Sequence, residues 1–471
     1  MASLLMISFK VYGTVLICLL LDGLLTQQIV TEQHLNGPLT NMKVFEDKVY
    51  IGGTDVIYIL NDDLSVNQTG STCNKTVPKC GNVNKVLLLN KFTREVYVCG
   101  TGMEGFCDSR PMDAIGTVKL LSSKSDIPLK VSADTNRPAT GLITIDGNIM
   151  MAVTYGHGIS TIRQAAGVST YNYSLSTWTT SFKPVTDIQV GQKVLQLELH
   201  VRNLNDYIIY YKSSFQENGY SYFLTNQKEY VGSSNYVTKL VRLCQGDTNY
   251  NSYTDIFVNC EHNGKIYNLL QDAILIYRDV IYPHGVYSTS IFVGAFTRGN
   301  DPENPTGDTV LCLTNLGTFE FKVAQAKWNY ARTCAQEDKK RYLSDTNNMC
   351  ANVTDLTYDN VQCSALPFKY AIGNVTANLT QSFTVEAKHG TVTALYGKII
   401  GTNKAVLMAG TSRGQVLQLN LEVKVNNLAL LHYNTFTADA GVRIRGIYQY
   451  TEDTLFVMSN RKKESSERGY Q

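Results

Sequence analysis

The 471-residue chain has little charge, little proline and only two tryptophans. Its charged fraction of 17% lies below the roughly 25% typical of soluble domains, which argues against intrinsic disorder. Its 42 Lys and Arg against 40 Asp and Glu leave no basic surplus for phosphates, so a nucleic acid is a poor partner. Tyrosine is abundant instead, at 29 residues, and this amphipathic, strand-favouring side chain indicates β-structure and protein-binding surfaces.

Patterns for catalysis and metal binding are also lacking. The sequence has no His-Glu-x-x-His motif and none of the repeated Ser-x-Asp-x-Gly turns of sialidase propellers. An acidic loop with Asp301, Glu303 and Asp308 breaks the EF-hand spacing, and we interpret it as solvated rather than calcium-binding. We therefore expect no enzyme, no cofactor and no metal site.

One apolar run, Val11 to Leu25, follows Lys10 near the start of the chain. It is short for a membrane span, which needs about 20 residues, but fits the core of a signal peptide. Residues 1–26 are therefore predicted to be a removed signal peptide, with a buried first helix or a membrane anchor as the alternative. No other stretch is long and apolar enough to predict a membrane span.

Signal-peptide removal would take Cys18 and leave ten of the eleven cysteines. An even number in a secreted protein indicates disulfides, here five. Asn-x-Ser/Thr sequons agree with an oxidising secretory route. The predicted glycosylation sites are Asn67, Asn74, Asn172, Asn352, Asn374 and Asn378.

Short apolar runs that end in Gly and a polar turn recur along the chain and predict β-strands. Val49 to Leu60 has this form, as does Ala405 to Leu421 around the turn at Gly414. The main exception begins at Val323, where helical spacing without Gly or Pro predicts a helical insertion over about 323–350.

A long all-β chain must protect many strand edges, and radial repetition of small sheets does so without separate domains. Seven four-stranded blades would hold about 60 residues each, more than the roughly 40 to 45 of WD-type repeats. Stacked β-sandwiches are the alternative, but they predict regularly spaced cysteine pairs, and none falls between Cys107 and Cys244. We predict an all-β, seven-bladed β-propeller over residues 27–461, followed by a polar tail over 462–471.

Residues Gly100 to Gly105 match the dinucleotide fingerprint Gly-x-Gly-x-x-Gly. That motif needs a following helix and an acidic residue about 20 positions on. Cys107 follows at once, so the segment is interpreted as a loop closed by Cys99 and Cys107.

Several segments together resemble the sema domain, the seven-bladed propeller of semaphorins, plexins and the hepatocyte growth factor receptor group. Val49–Leu60 looks like its first blade and Asn84–Cys107 like its second, with the characteristic cysteine loop. Ala405–Leu421 is similar to the sixth-blade hairpin and Thr454–Asn460 to the last-blade strand. The resemblance extends from about residue 39 to 461.

Three details favour the plexin-like receptor branch of that family. Cys99 and Cys107 are eight positions apart, as in plexins, whereas semaphorins usually have nine. Cys244 and Cys260 are separated by 16 positions in a segment similar to that of the receptors. Lys130–Thr144 looks like the plexin run before the third blade.

The resemblance implies a disulfide pairing that spacing alone leaves open. By analogy with plexins, a disulfide between Cys334 and Cys350 would fold the helical insertion into a hairpin. The implied pairs are Cys73 with Cys80, Cys99 with Cys107, Cys244 with Cys363, Cys260 with Cys312, and Cys334 with Cys350.

The resemblance also implies a function. It is that of the extracellular ligand-binding domain of a plexin-like receptor, which recognises a semaphorin or similar protein through propeller edges and loops, without catalysis. A secreted semaphorin-like ligand, able to form a homodimer, or a soluble decoy that binds plexins is the alternative. The expected location is extracellular, as a secreted protein or as the ectodomain of a plasma-membrane receptor.

Overall fold

In a computed structural model the chain is built mainly from antiparallel strands. The structure describes residues 2–10, 26–73, 79–121, 130–154, 167–172, 183–184, 207–247, 252–282, 285–333, 363, 371–379, 381–400, 404–424, 427–449 and 454–460.

The strands are short and closely spaced, as the recurring Gly-containing turns predict. The first half of the chain contains β1 (Ala2–Lys10), β2 (Thr26–Leu35), β3 (Leu39–Phe45), β4 (Lys48–Gly53), β5 (Val56–Leu60), β6 (Val66–Ser71), β7 (Asn84–Asn90), β8 (Glu95–Gly100), β9 (Cys107–Pro111), β10 (Leu120–Leu121), β11 (Ala139–Ile143), β12 (Ile149–Val153), β13 (Gly167–Asn172), β14 (Lys183–Pro184), β15 (Ile209–Glu217) and β16 (Tyr220–Lys228). The second half contains β17 (Tyr236–Cys244), β18 (Thr254–His262), β19 (Lys265–Tyr267), β20 (Leu269–Tyr282), β21 (Gly285–Arg298), β22 (Thr306–Asn315), α1 (Leu316–Thr333), β23 (Ala371–Leu379), β24 (Gln381–Val385), β25 (Val392–Ile400), β26 (Lys404–Thr411), β27 (Gln415–Lys424), β28 (Asn427–Thr437), β29 (Ile444–Gln449) and β30 (Thr454–Asn460).

The described strands form seven sheets, most of them built from four consecutive strands. The sheets are β3 to β6, β7 to β10, β11 to β14, β15 to β19 with β23 added, β20 to β22 with β24, β25 to β28, and β29 and β30 with β1 and β2.

The first strand of each sheet contacts the first strand of the next sheet, and the last of these contacts, β29 with β3, closes a ring. A closed ring of sheets around a central channel is a β-propeller, which confirms the predicted all-β propeller class. The channel wall consists of β3, β7, β11, β15, β20, β25 and β29.

Away from the channel, neighbouring sheets pack through apolar side chains. Each buried apolar cluster of the described residues draws on two adjacent sheets, and we call these clusters the sheet layers. In one of them Leu142 and Met150 pack with Phe223 of the next sheet. Such burial is the dominant favourable term in folding, at about 25 cal/mol per Å² of apolar surface.

At the channel wall, polar groups join adjacent sheets instead. Side-chain hydrogen bonds cross every junction of the ring. They are Asn41 Nδ2 to Asn84 Oδ1 (2.7 Å), Lys85 Nζ to Arg137 O (3.0 Å), Thr140 Oγ1 with Ser214 Oγ (2.6 Å), Ser213 Oγ to Ala273 O (3.0 Å), Leu395 N to Asp272 Oδ2 (2.8 Å), Thr393 Oγ1 to Ile444 O (2.6 Å), and Tyr448 with the backbone of Met42.

The two ends of the propeller differ in which connections they carry. Turns between the second and third strands of a sheet lie beside the links that enter that sheet, as where Thr54 N donates to Pro38 O (3.0 Å) and Thr154 N to Pro138 O (3.0 Å). We call this the link end. The turns between first and second strands lie at the opposite end, the hairpin end.

The last sheet is completed by the start of the chain. β1 pairs antiparallel with β30 on one side and with β2 on the other. β1 therefore falls inside residues 1–26, the predicted signal peptide, whose apolar run over residues 11–25 lies outside the described residues. Removal of this segment stays a prediction.

The predicted helix begins earlier than expected, at Leu316 rather than about Val323. Because Gly is a poor helix former, the sequence predicts a helix start after Gly317. In the structure Asn315 Oδ1 accepts a hydrogen bond from Gly317 N (2.8 Å), which caps the first turn and allows the helix to begin earlier. The predicted remainder of the insertion, residues 334–350, lies outside the described residues.

Candidate functional site

Four disulfides join described cysteines, and all four are pairs that the plexin resemblance implies. They are Cys73–Cys80, Cys99–Cys107, Cys244–Cys363 and Cys260–Cys312. The fifth implied pair, Cys334 with Cys350, lies outside the described residues.

The loop closed by Cys99 and Cys107 contains the Gly-x-Gly-x-x-Gly match. A short 3₁₀ turn occupies Met103–Gly105, and β9 follows at once. Gly105 has a φ of 83°, and a Cβ there would lie 2.0 Å from Val131 O, so only glycine fits. Gly102 N donates to Asn82 Oδ1 (2.7 Å). The glycines serve a tight loop, and no helix here offers its N-terminus to a pyrophosphate.

Helix α1 packs against the sheet of β15 to β19 through a buried ion pair. Arg242 NH1 on β17 pairs with Glu320 Oε2, and the Tyr222 hydroxyl donates to Glu320 Oε1. Burial and the nearby Arg242 guanidinium lower the pKa of Lys327, which lies about two turns further along the same face of the helix, to about 7. The insertion is thus fixed to the propeller by charge as well as by apolar contact.

The added strand β23 pairs parallel with β18 next to this helix. Asp255 on β18 accepts a hydrogen bond from Gly373 N (2.9 Å) and pairs with Lys239 Nζ at 3.4 Å. A Cβ at Gly373 would lie 2.1 Å from Asp255 O, so this close approach of two backbones requires glycine.

The acidic loop considered for calcium directs its carboxylates to different partners. Asp301 Oδ1 accepts from Glu303 N (2.8 Å), whereas Glu303 Oε1 pairs with Arg137 NH1 (2.8 Å). Asp308 Oδ1 accepts from Ala387 N (2.8 Å). The three carboxylates therefore do not converge on one cation position.

Asp55 lies beside two cysteine sulfurs, an arrangement that in other proteins can hold a metal. Here the sulfurs of Cys73 and Cys80 are bonded to each other and are not thiolate ligands. Asp55 Oδ1 instead accepts from Asn82 N (2.7 Å), which ties the turn between β4 and β5 to the segment just before β7.

Two of the six predicted glycosylation sites have described side chains, and both are exposed. Asn67 lies on β6, the outer strand of its sheet, and Asn378 lies on β23. Asn172 and Asn374 lie in β13 and β23, and Asn74 and Asn352 lie outside the described residues. The exposed strands leave room for a glycan at Asn67 and at Asn378.

Two large apolar side chains are exposed in adjacent turns at the hairpin end. Phe92 (55% exposed) lies in the turn between β7 and β8, and Ile145 (59%) in the neighbouring turn between β11 and β12. Asn90 Nδ2 donates to Gly147 O (2.9 Å), which holds the two turns together. We call Phe92 and Ile145 the hairpin-end patch.

A second such pair, Tyr277 (56%) and Ile400 (50%), lies on adjacent sheets at the same end. At the link end, the side chain of Tyr230, in the turn between β16 and β17, is 37% exposed. The sequence did not indicate this patch, because single apolar residues in turns are common and their exposure depends on what packs beside the turn. An aromatic residue inside an otherwise polar turn, as in Lys91-Phe92-Thr93, was the available signal.

Sequence comparison relates the chain to plexins. It is 24% identical over 459 residues to mouse plexin-A4, across 88% of this chain and 23% of that protein. Human plexin-A2 is 24% identical over 326 residues, across 59% of this chain and 16% of that protein. The chain thus spans less than a quarter of the length of these relatives. No protein-family model matches it.

Solved structures show the same fold. The full extracellular region of plexin A4 is similar with a TM-score of 0.71 at 18% identity, over 89% of this chain and 46% of that one. Drosophila semaphorin 1a, extracellular domains 1–2, has a TM-score of 0.56 at 14% identity, over 90% of this chain and 86% of that one. Within the described residues, no helix has the length and apolar character to cross a bilayer.

Proposed function

Because the chain is homologous to the plexin-A family and shares the fold of a plexin extracellular region, we propose that it is a plexin-type sema domain that binds a protein ligand outside the cell. Its seven sheets are then the seven blades of the sema propeller. A semaphorin is the proposed ligand, and the chain has no catalytic role.

The hairpin-end patch is the observation that carries the proposed binding surface. The turns that present Phe92 and Ile145 are held by strands on both sides, so binding needs little further ordering of the chain. Large apolar side chains that are exposed on adjacent, rigid turns are costly in water and are the usual anchors of protein interfaces.

Charged groups surround this patch. Arg94 NH1 pairs with Glu46 Oε1 at 3.0 Å across the first two sheets, and both side chains are exposed. Lys91 Nζ lies 5.3 Å from the centre of the Phe92 ring. An apolar centre with a charged rim is the ordinary composition of a protein-binding surface.

Binding of the purified, glycosylated chain to a panel of immobilised semaphorin ectodomains tests the proposal. We expect saturable binding at or below about 10 μM, measured by surface plasmon resonance. The Phe92→Ser, Ile145→Ser double variant should weaken it at least about tenfold. Ile266→Ser, at a residue 49% exposed on the outer strand β19, is the matched control and should not change it.

The two parts of the proposal fail separately. Absence of binding to every semaphorin would contradict the ligand class. Binding that the double variant leaves intact would keep the ligand class and exclude the hairpin-end patch as its surface.

A secreted semaphorin-like ligand remains the second candidate, because the fold also matches semaphorin 1a. It predicts a homodimer by sedimentation and binding to plexin-bearing cells. The higher TM-score to plexin A4 favours the receptor type.

A further inference from the structure

The outer strand of the sheet of β25 to β28 is long and open. β28 (Asn427–Thr437) has 11 residues, and no described strand pairs with its outer edge. Propellers usually keep such edges short and protected, because unpaired backbone N–H and C=O groups are a template for another strand. A bulge at Leu431 interrupts the pairing of β28 with β27, but the six residues from His432 to Thr437 pair regularly.

The outer strands of the other sheets are short, covered or charged in the described part of the chain. β10 and β14 have two residues each, and β19 has three. On β6, Gln68 Nε2 donates to Asp113 O (2.7 Å), so the segment after β9 covers this strand. A hydrogen bond of His262 with Ser382 Oγ (2.8 Å) holds β24 to β18, and β2 carries the charge of Glu32. β28 has no Lys, Arg, Asp, Glu or Pro, the residues by which edge strands commonly prevent pairing.

The exposed side chains of β28 suit a protein contact. Leu431 is 55% exposed and Tyr433 is 44% exposed. Asn434, Thr435 and Thr437 are also exposed, and all of them are uncharged. Tyrosine is enriched in protein interfaces, because its ring supplies apolar area and its hydroxyl a hydrogen bond. The open edge of β28 therefore lies beside a surface that another protein can cover without burying charge.

This part of the molecule also lacks predicted glycans. The six sequons lie between Asn67 and Asn378, and the sequence contains none after Asn378. The strands β25 to β30 all belong to that later part of the chain. A glycan on an outer strand would obstruct a second protein, and β28 has no site for one.

β28 lies across the ring from the hairpin-end patch. The patch is on the two sheets that begin with β7 and β11. Between them and the sheet of β28 lie the sheets that begin with β29 and β3 on one side, and with β15 and β20 on the other. A partner on β28 would therefore leave Phe92 and Ile145 accessible.

We propose that β28 pairs antiparallel with β28 of a second copy of the chain around a two-fold axis, which joins two four-stranded sheets into one of eight strands. The charges favour a second copy as the occupant. Pairing around a two-fold axis brings the charges of a short strand close to their own copies, and β28 carries none.

Such a dimer would present two hairpin-end patches and could bind a dimeric ligand with increased avidity. The β28 dimer itself uses a different surface from that patch and does not depend on the semaphorin assignment. It is compatible with a receptor and with a secreted ligand, so a dimer alone does not distinguish these two candidate functions.

Sedimentation velocity of the full, glycosylated chain tests the proposal over about 1 to 200 μM. We expect a reversible equilibrium between monomer and dimer with a Kd below about 100 μM. Weak association is expected because pairing of one short strand buries less area than a standard protein interface.

The Tyr433→Lys, Thr435→Lys double variant places like charges across the strand pair and should raise the Kd at least about tenfold. Tyr433→Glu, Thr435→Glu should do the same, whereas an equal mixture of the two variants should dimerise again. That recovery separates lost pairing from lost folding. The matched control Val66→Lys, Ile266→Lys adds the same charge at positions 44% and 49% exposed on β6 and β19, and should dimerise like the native chain.

Three results would overturn the proposal. They are a native chain that stays monomeric at the highest concentration, a dimer that the lysine variant leaves intact, and a mixture of the lysine and glutamate variants that stays monomeric.

Discussion

The sheet layers and the channel wall hold the same neighbouring sheets together by different means. In the layers, close-packed apolar side chains such as Phe215 on β15 and Phe292 on β21, with ring centres 6.3 Å apart, fill the space between sheets. At the wall, single hydrogen bonds such as Ser213 Oγ to Ala273 O connect one first strand to the next. The layers therefore contribute most of the folding energy, while the directional bonds of the wall fix how each strand stands against its neighbour.

The largest expected effect is in a layer. Phe292→Ala removes a fully buried ring that packs against Phe215 and Phe319, so we expect a loss of about 4 kcal/mol in the free energy of unfolding. Urea unfolding measures it. Phe321→Ala, at a ring 61% exposed on α1, is the matched control and should stay within about 0.5 kcal/mol. Similar losses at both positions would mean that the layer does not dominate.

A buried charge in that layer should come next. Glu320→Gln leaves the Arg242 guanidinium buried without its carboxylate, and we expect a loss of about 3 kcal/mol in unfolding free energy. Glu46→Gln breaks the exposed pair with Arg94 and should cost less than about 1 kcal/mol. A small effect of Glu320→Gln would show that α1 is held mainly by apolar contact.

The wall should respond to pH through Asp272. Burial raises its pKa from 3.8 to about 6, so the folded state binds the proton more tightly than the unfolded state. The stability that the protonated Asp272 contributes is therefore greatest below pH 3.8 and is lost as the pH rises through about 6. Between pH 5 and pH 7.5 the native chain should lose about 1 kcal/mol more stability than Asp272→Asn, measured by urea unfolding at each pH. Parallel pH profiles would contradict a raised pKa.

The smallest expected effect is a single wall hydrogen bond. Thr140 Oγ1 and Ser214 Oγ lie 2.6 Å apart and join β11 to β15. A double-mutant cycle of Thr140→Val and Ser214→Ala should give a coupling energy of about 1 kcal/mol. A coupling as large as the Phe292 loss would reverse the assignment of roles between layer and wall.

Local sequence patterns predicted much of the fold. Strand–turn–strand units such as β4 with β5, and β26 with β27, are visible because apolar runs end at turns that need glycine; at Gly414, φ is 78°. The start of α1 was misplaced, because a cap from Asn315 outweighs the low helix propensity of Gly317.

Features that depend on long-range placement could not be predicted from the sequence. The parallel pairing of β23 with β18 joins segments more than a hundred residues apart. The hairpin-end patch was missed because exposure of an apolar residue depends on what packs beside its turn.

The completion of the last sheet by β1 and β2 has a consequence for synthesis. All the other sheets lie between β1 and β30 in the sequence, so β1 and β2 remain without this partner until those sheets have been made. During that time two sheet edges are open to pairing with other chains. Mutations that delay the pairing of β1 with β30 should therefore appear as aggregation of newly made chains rather than as altered ligand binding.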